Sequence, residues 1–229
     1  MPDCFTSSAI PDAAPAPDEA LVILAGVHKI KAVKLPSEEK RRADSIASQE
    51  VRSRYLAARC LVRSVLASWL KQEPEEIPLA ISSEGKPFVV GEGKPHFSIS
   101  HTEDLVAVAL FHEAVGIDLE RERPIDTVAL ARRFFSPEEA EYLEKKGSSS
   151  DFFRLWSCRE AAIKGDGRGM ATLLAEMKIA PSELGKTGPI RVAVEDVSWS
   201  AFPWMLESNL HSAVAFREEP RLIRWCDLR

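Results

Sequence analysis

LVAVALFHEAVGIDLE, residues 105–120, is the stretch on which the fold turns. It holds two apolar runs, 105–111 and 115–119, each short and rich in Val, Leu and Ile, so both read as strands. His112, Glu113 and Ala114 between them have the length of a hairpin link, and the runs are expected to pair antiparallel. Upstream, residues 21–27 form a buried strand candidate, and Ser37-Glu38-Glu39 opens a polar helix after Pro36. Residues 48–71 carry Val51, Tyr55, Ala58, Leu61, Val62, Val65, Leu66 and Trp69 at helical spacing. Short strand candidates at 77–81 and 96–99 flank the turn Glu84-Gly85-Lys86-Pro87. Downstream, 126–134 reads as helix, and Ser136-Pro137-Glu138-Glu139 starts another with a capping box. Asp151 is expected to cap a third helix over 152–164, stopped by Gly165-Asp166-Gly167-Arg168-Gly169. The tail alternates weakly, with 190–194 and 212–216 the best strands. Helices and strands do not alternate as βαβ units, so the fold class is α+β.

Composition bounds the function. The 229 residues are 45% hydrophobic and 28% charged, ordinary for a globular protein with a real core. A net charge of −5 argues against nucleic-acid binding. The charge is uneven: seven bases (Lys40, Arg41, Arg42, Arg52, Arg54, Arg59, Arg63) face only Asp44 and Glu50 between residues 40 and 63. Such a segment suits a phosphate-rich small molecule, or is a solvated helix face. Cys4, Cys60, Cys158 and Cys226 form no CxxC pair, which argues against a zinc site or disulfide framework and for reduced thiols in a cytoplasm. Residues 1–18, rich in Pro, Ala and Ser, read as a flexible leader with no signal-peptide pattern. The apolar run at 21–27 is too short to cross a membrane.

Two patterns carry chemistry. Asp118 and Glu120 lie at i and i+2 on a strand, which puts both carboxylates on one face and Ile117 and Leu119 on the other. Two like charges held together call for a cation, a proton or abundant water, and hard oxygen donors favour Mg²⁺ or the similar Mn²⁺. A strand ending in solvent gives the same spacing. In Trp156-Ser157-Cys158-Arg159-Glu160-Ala161-Ala162-Ile163-Lys164, the residues Trp156, Glu160 and Lys164 line one helix face. Glu160 would add a third carboxylate and Lys164 a phosphate-neutralising charge. A surface Glu–Lys pair is the plain alternative.

Four segments occur in a set order: Gly85-Lys86-Pro87, Phe97-Ser98-Ile99-Ser100-His101, Gly116-Ile117-Asp118-Leu119-Glu120, and the Trp156 to Lys164 helix. This order resembles the 4′-phosphopantetheinyl transferase superfamily. The length and the helix around Arg54, Leu61 and Arg63 are similar to its long, Sfp-type branch. The resemblance spans about residues 20–216. It implies a pseudo-dimer of two similar α+β halves, near 19–115 and 116–229, with the site in the cleft between them. Asp118, Glu120 and Glu160 then match magnesium ligands, and Lys164 a lysine on the coenzyme A pyrophosphate. His101 and Arg54 match groups around the 3′-phosphate, with Lys40 a looser phosphate contact. Gly85, Lys86 and Pro87 match the segment against the adenine, and Ser100 sits in the coenzyme-binding turn. The family often has Asn at Ser98 and Lys at Arg159; Arg does not deprotonate in proteins, so Arg159 is no base.

The activity implied is transfer of phosphopantetheine from coenzyme A to a serine of an apo acyl or peptidyl carrier protein, releasing adenosine 3′,5′-bisphosphate. Fatty-acid, polyketide and peptide synthesis all use such carriers. Glu160 and Glu139 are the candidate bases for the serine proton, and Glu139 is also the third residue of a capping box. The carrier is expected to dock along residues 126–145 through Arg132, Arg133, Phe134 and Phe135, unless the two phenylalanines are core. The long form is expected to be a monomer. Two alternatives stand beside the transferase: a non-catalytic module binding coenzyme A or a carrier, and a metal-dependent hydrolase of the coenzyme A pyrophosphate.

Overall fold

The computed structural model describes residues 3–7, 11, 14–169 and 177–229. The chain divides into two compact units. The first holds the chain up to Ala80, with Pro87–His112 and Pro220–Arg229. Its elements in chain order are β1 (Asp3–Ser7), β2 (Glu19–Gly26), α1 (Ser37–Asp44), α2 (Gln49–Leu70), β3 (Leu79–Ile81), β4 (Pro87–Val89), β5 (His96–Thr102) and β6 (Leu105–Phe111). The strand β12 (Leu222–Leu228) completes it. Its five-stranded sheet has the order β1-β12-β2-β6-β5, with β12 parallel to both neighbours and the other pairs antiparallel. Every residue of β2 and β6 is buried, which explains their unbroken apolar runs.

Helix α2 starts where Ser48 accepts a hydrogen bond from Val51 N at 3.4 Å and ends at Lys71 in the left-handed region. It packs Ala57, Ala58, Leu61, Val62, Val65 and Leu66 with Leu21, Ile23, Val106, Val108 and Leu110 of the sheet. Burying each Leu or Val contributes about 1.5–3 kcal/mol. The basic stretch between 40 and 63 is partly consumed by the fold. Arg63, 3% exposed, holds Glu39 at 2.9 and 3.2 Å and the carbonyls of Pro74 and Ile77 at 2.7 and 3.0 Å. Arg52 donates twice to Ile46 O.

The second unit is Ile81–Lys86 with Glu113–Glu219. It contains β7 (Val115–Arg121), α3 (Thr127–Phe134), α4 (Pro137–Lys146), α5 (Ser149–Asp166), β8 (Met177–Ile179), β9 (Ile190–Val194), β10 (Val197–Glu207) and β11 (Leu210–Phe216). Its antiparallel sheet has the order β7-β11-β10-β9-β8. Helix α5 packs on it through Leu155, Cys158, Ala161, Ala162 and Ile163, against Val192, Trp199, Ala201, Ala213 and Ala215. Each unit is thus a five-stranded sheet with one long helix, and the whole is α+β in two halves.

Four expectations change. The runs at 105–111 and 115–119 are strands, but not a hairpin: β6 pairs with β2 and β5, while β7 pairs with β11 in the other sheet. Both runs are buried on both faces, and such a pattern does not specify a partner. The last strand, β12, lies in the sheet of the first unit and not with its chain neighbours, so a division into 19–115 and 116–229 cuts across it. Asp3–Ser7, inside the segment read as a flexible leader, pairs with β12. Ser148, not Asp151, caps α5: its hydroxyl accepts from Asp151 N at 3.3 Å, so the helix begins at Ser149.

Candidate active site

Asp118 and Glu120 leave the same face of β7, as alternation requires, while Ile117 and Leu119 are buried on the other. Register with β11 sets Asp118 opposite Ala213 and Glu120 opposite His211. The Ser212 hydroxyl donates to Asp118 O at 2.9 Å and locks that register. Helix α5 brings Glu160 and Lys164 to the same place. Lys164 Nζ lies 2.7 Å from Asp118 Oδ1, and Arg123 lies 2.8 Å from Glu120 Oε2. Asp118 is 2% exposed and Glu160 4%.

The electrostatics follow from crowding acids out of water. Burial pushes the Glu160 carboxyl up to about 7; the charges of Asp118 and Glu120 add to the rise, and Lys164 and Arg159 oppose it. Glu120 is raised by burial and then by Asp118, against Arg123 and Lys164. Among the described residues no group of three or more His, Cys, Asp and Glu side chains forms a ready-made metal cluster. Asp118 and Glu120 are instead engaged by the cations Lys164 and Arg123. The donor set still suits a hard divalent ion: three acidic side chains share one low-dielectric place, where burial first and mutual repulsion second raise Glu160.

The face continues to Glu122, four residues beyond Asp118. Glu122 Oε1 meets His211 Nε2 at 2.7 Å, and Ser149 Oγ donates to Glu122 Oε2 at 2.7 Å. His211 is 3% exposed and its ring stacks on Phe153, with centroids 6.1 Å apart. Sequence reasoning missed Glu122, Arg123 and His211. Glu122 was visible as the next step of the Asp118, Glu120 alternation; His211 arrives only through strand pairing.

Glu139 is bound into the fold. It is fully buried and receives Arg159 NH1 at 3.0 and 2.8 Å, Ile179 N at 2.9 Å and Ser136 N at 2.6 Å. Those bonds engage both carboxylate oxygens, and the capping box is present as expected. Arg159 also donates to Phe134 O at 2.7 Å and lies 4.5 Å over the Phe135 ring. Phe135, 8% exposed, is core and no docking residue. Arg133 sits over the partly buried Phe134 at 4.9 Å, and Arg132, with its side chain 62% exposed, pairs with Glu144 at 2.7 Å.

The remaining candidates fall in two places. Gly85, at φ +87°, and Lys86 belong to the second unit with the acids. Lys40, Arg54, Pro87, Ser100 and His101 belong to the first. There Lys40 is exposed on α1, and Ser100 is buried and His101 exposed on β5. Arg54 lines a cavity of about 410 Å³ with Val27, His28, Glu50, Ser53, Glu103 and Asp104, and Glu50 stands 3.6 Å from it. Among the described residues no helix is long and apolar enough to cross a membrane.

Comparison with known proteins matches residues 114–215 to the 4′-phosphopantetheinyl transferase superfamily and residues 27–112 to the N-terminal model of a 4′-phosphopantetheinyl transferase. The chain is 35% identical over 192 residues to the 4′-phosphopantetheinyl transferase HetI of Nostoc sp., covering 80% of this chain and 79% of that one. It is 29% identical over 162 residues to the 4′-phosphopantetheinyl transferase Sfp of Bacillus subtilis, covering 69% and 70%. It is 36% identical over 139 residues to the 4′-phosphopantetheinyl transferase gsp of Aneurinibacillus migulanus, covering 58% and 57%.

Proposed function

Because this chain belongs to the 4′-phosphopantetheinyl transferase superfamily, we infer that it moves the 4′-phosphopantetheine of coenzyme A to a serine of an apo carrier protein. Adenosine 3′,5′-bisphosphate leaves. The carrying observation is the meeting of Asp118, Glu120, Glu160 and Lys164 within the region that matches the family.

Asp118, Glu120 and Glu160 would hold Mg²⁺, or Mn²⁺ in its stead. When bound, the ion supplies Lewis-acid charge to the diphosphate of coenzyme A. Lys164, engaged with Asp118 at 2.7 Å, would turn to the pyrophosphate and neutralise charge there. Phosphoryl transfer asks mainly for positioning and charge neutralisation, which this side-chain set offers. We take Glu160, as an ionised carboxylate, to be the group that accepts the proton of the attacking serine hydroxyl, with Glu139 the other candidate. Arg54, His101 and, more loosely, Lys40 would attend the 3′-phosphate. The Gly85-Lys86-Pro87 segment would lie against the adenine, with Ser100 in the coenzyme-binding turn. At Arg54 the acidic neighbours Glu50, Glu103 and Asp104 would repel an incoming phosphate, so cations must screen them or their side chains must turn away.

We place the carrier on the face of α3 and α4 that bears Arg132 and Arg133, and take the acceptor to be an acyl or peptidyl carrier of fatty-acid, polyketide or peptide synthesis. The enzyme would act as a cytoplasmic monomer; the buried thiols of Cys60, Cys158 and Cys226 suit a reducing compartment. The test is to incubate the chain with coenzyme A, Mg²⁺ and several apo-carriers and weigh the carriers. Gain of one phosphopantetheine arm is expected. Coenzyme A breakdown without carrier gain would mark a hydrolase, and no reaction a binding module. Asp118→Ala and Glu160→Ala should each nearly abolish turnover and weaken Mn²⁺ binding measured by electron paramagnetic resonance. Normal binding in either would remove that residue from the metal site.

A further inference from the structure

We propose that Lys86 is a positioning residue whose ammonium caps the C-terminal end of α5 and fixes the helical turn from which Lys164 departs. Its Nζ donates to Gly165 O at 2.7 Å, across 79 residues of sequence. Both residues lie in the second unit.

The end of α5 needs such a clamp. Gly165, Gly167 and Gly169 fall within five residues, and glycine is the least helix-favouring residue after proline. Gly165 is required for packing, since a Cβ there would stand 2.4 Å from the Trp199 ring. Gly167 closes the helix at φ +83°, with its N–H on Ile163 O at 2.9 Å. The last four carbonyls of a helix lack intrahelical partners and carry the negative end of its dipole. A cation on Gly165 O answers both needs, and the Asp166 charge beside it favours the ammonium.

The lysine is delivered by a rigid turn. Ser82 N donates to Lys86 O at 2.9 Å, Lys86 N donates to Ser82 Oγ at 3.1 Å, and Gly85 N donates to Ser82 O at 3.0 Å. Gly85 takes the left-handed φ of +87° that the turn needs. The lysine stem then lies over Gly167, where a Cβ would come within 2.9 Å of Lys86 Cδ. Burial lowers the Lys86 ammonium to about 8, the cost of taking a charge into this place, offset in part by Asp166. The turn that carries Gly85 and Lys86, part of the segment read as lying against the adenine, is thereby tied to the helix that bears Glu160 and Lys164. In that last link the inference rests on the transferase reading.

The experiment compares Lys86→Met, Lys86→Gln and Lys86→Arg with the parent chain. Hydrogen exchange is first measured without metal or coenzyme A. Amides at 163–167 should exchange about 10-fold faster in the Met and Gln variants, while those of α2 stay unchanged. In the carrier assay, kcat should fall about 10-fold, and Arg should restore most of both readouts. A higher KM with kcat and exchange unchanged would mean that the ammonium serves coenzyme A directly and would overturn the proposal. Unchanged exchange in both Met and Gln variants would overturn it as well. Should the parent chain modify no carrier, the transferase reading fails while the exchange measurement still decides the clamp.

Discussion

Gly116 on β7 and Gly165 on α5 touch backbone to backbone. A Cβ on Gly116 would stand 1.9 Å from Ala161 O and 2.3 Å from Gly165 N. No side chain fits in that seam, and this lets the strand bearing Asp118 and Glu120 approach the helix bearing Glu160 and Lys164 closely enough for charges to meet. The glycine of the Gly116 to Glu120 segment therefore sets distance where its acids set chemistry.

Gly116→Ala should separate the strand from the helix. The clash is with backbone, which cannot rotate away, so the loss of stability is expected to be about 3 kcal/mol or more. Urea denaturation reads it directly. A loss under about 1 kcal/mol would mean that the seam has slack.

Glu139 and Arg159 form a pair with both side chains wholly buried. Removing one partner leaves a buried charge, so Glu139→Ala should cost about 3–5 kcal/mol. The gentler Glu139→Gln separates structure from catalysis. Assayed at a temperature where it remains folded, it should keep kcat within about threefold, whereas loss of a general base costs about 10²–10⁴. A fall of that size would mark Glu139 as the base.

Glu160 predicts a pH signature in the metal-free protein. Its folded value, about 7, lies above the 4.5 of an ordinary glutamate. Its contribution to stability is full below about 4.5 and is lost as pH rises through about 7. Against Glu160→Gln, the parent chain should lose relative stability across that window, and Mg²⁺ added above pH 7 should recover it by binding the ionised acids. Parallel stability curves for the two proteins would contradict this.

Arg132 and Arg133 test the docking face. Reversal of both to Glu should raise the KM for the carrier about tenfold or more and leave that for coenzyme A unchanged. Arg132 pairs with the exposed Glu144 side chain, and such surface pairs are worth about 0–1 kcal/mol, so the fold should survive. Unchanged carrier kinetics would move the docking site elsewhere.

What could be read from the letters is what local periodicity controls. The alternation of Asp118 and Glu120, the one-face spacing of Glu160 and Lys164 and the Ser136 capping box each need only a few consecutive residues, and each is present. Partners chosen across the chain were not readable. Arg159 finds Glu139 20 residues away, Lys86 finds Gly165 across 79, and His211 reaches Glu122 across 89. Likewise β6 and β7 look alike as apolar runs, and only the sheets they join tell them apart.

The placing of β12 bears on the order of assembly. The strand sits between β1 and β2, inside the sheet and not at its edge. During synthesis the whole stretch Glu113–Glu219 emerges before it, so the second unit can close while the first still lacks an interior strand. Until Leu222–Leu228 is made, β2 offers an open ladder of N–H and C=O groups to any passing chain. A ribosome paused before Pro220 would therefore hold a second unit that is already complete while the first is still unfinished and aggregation-prone.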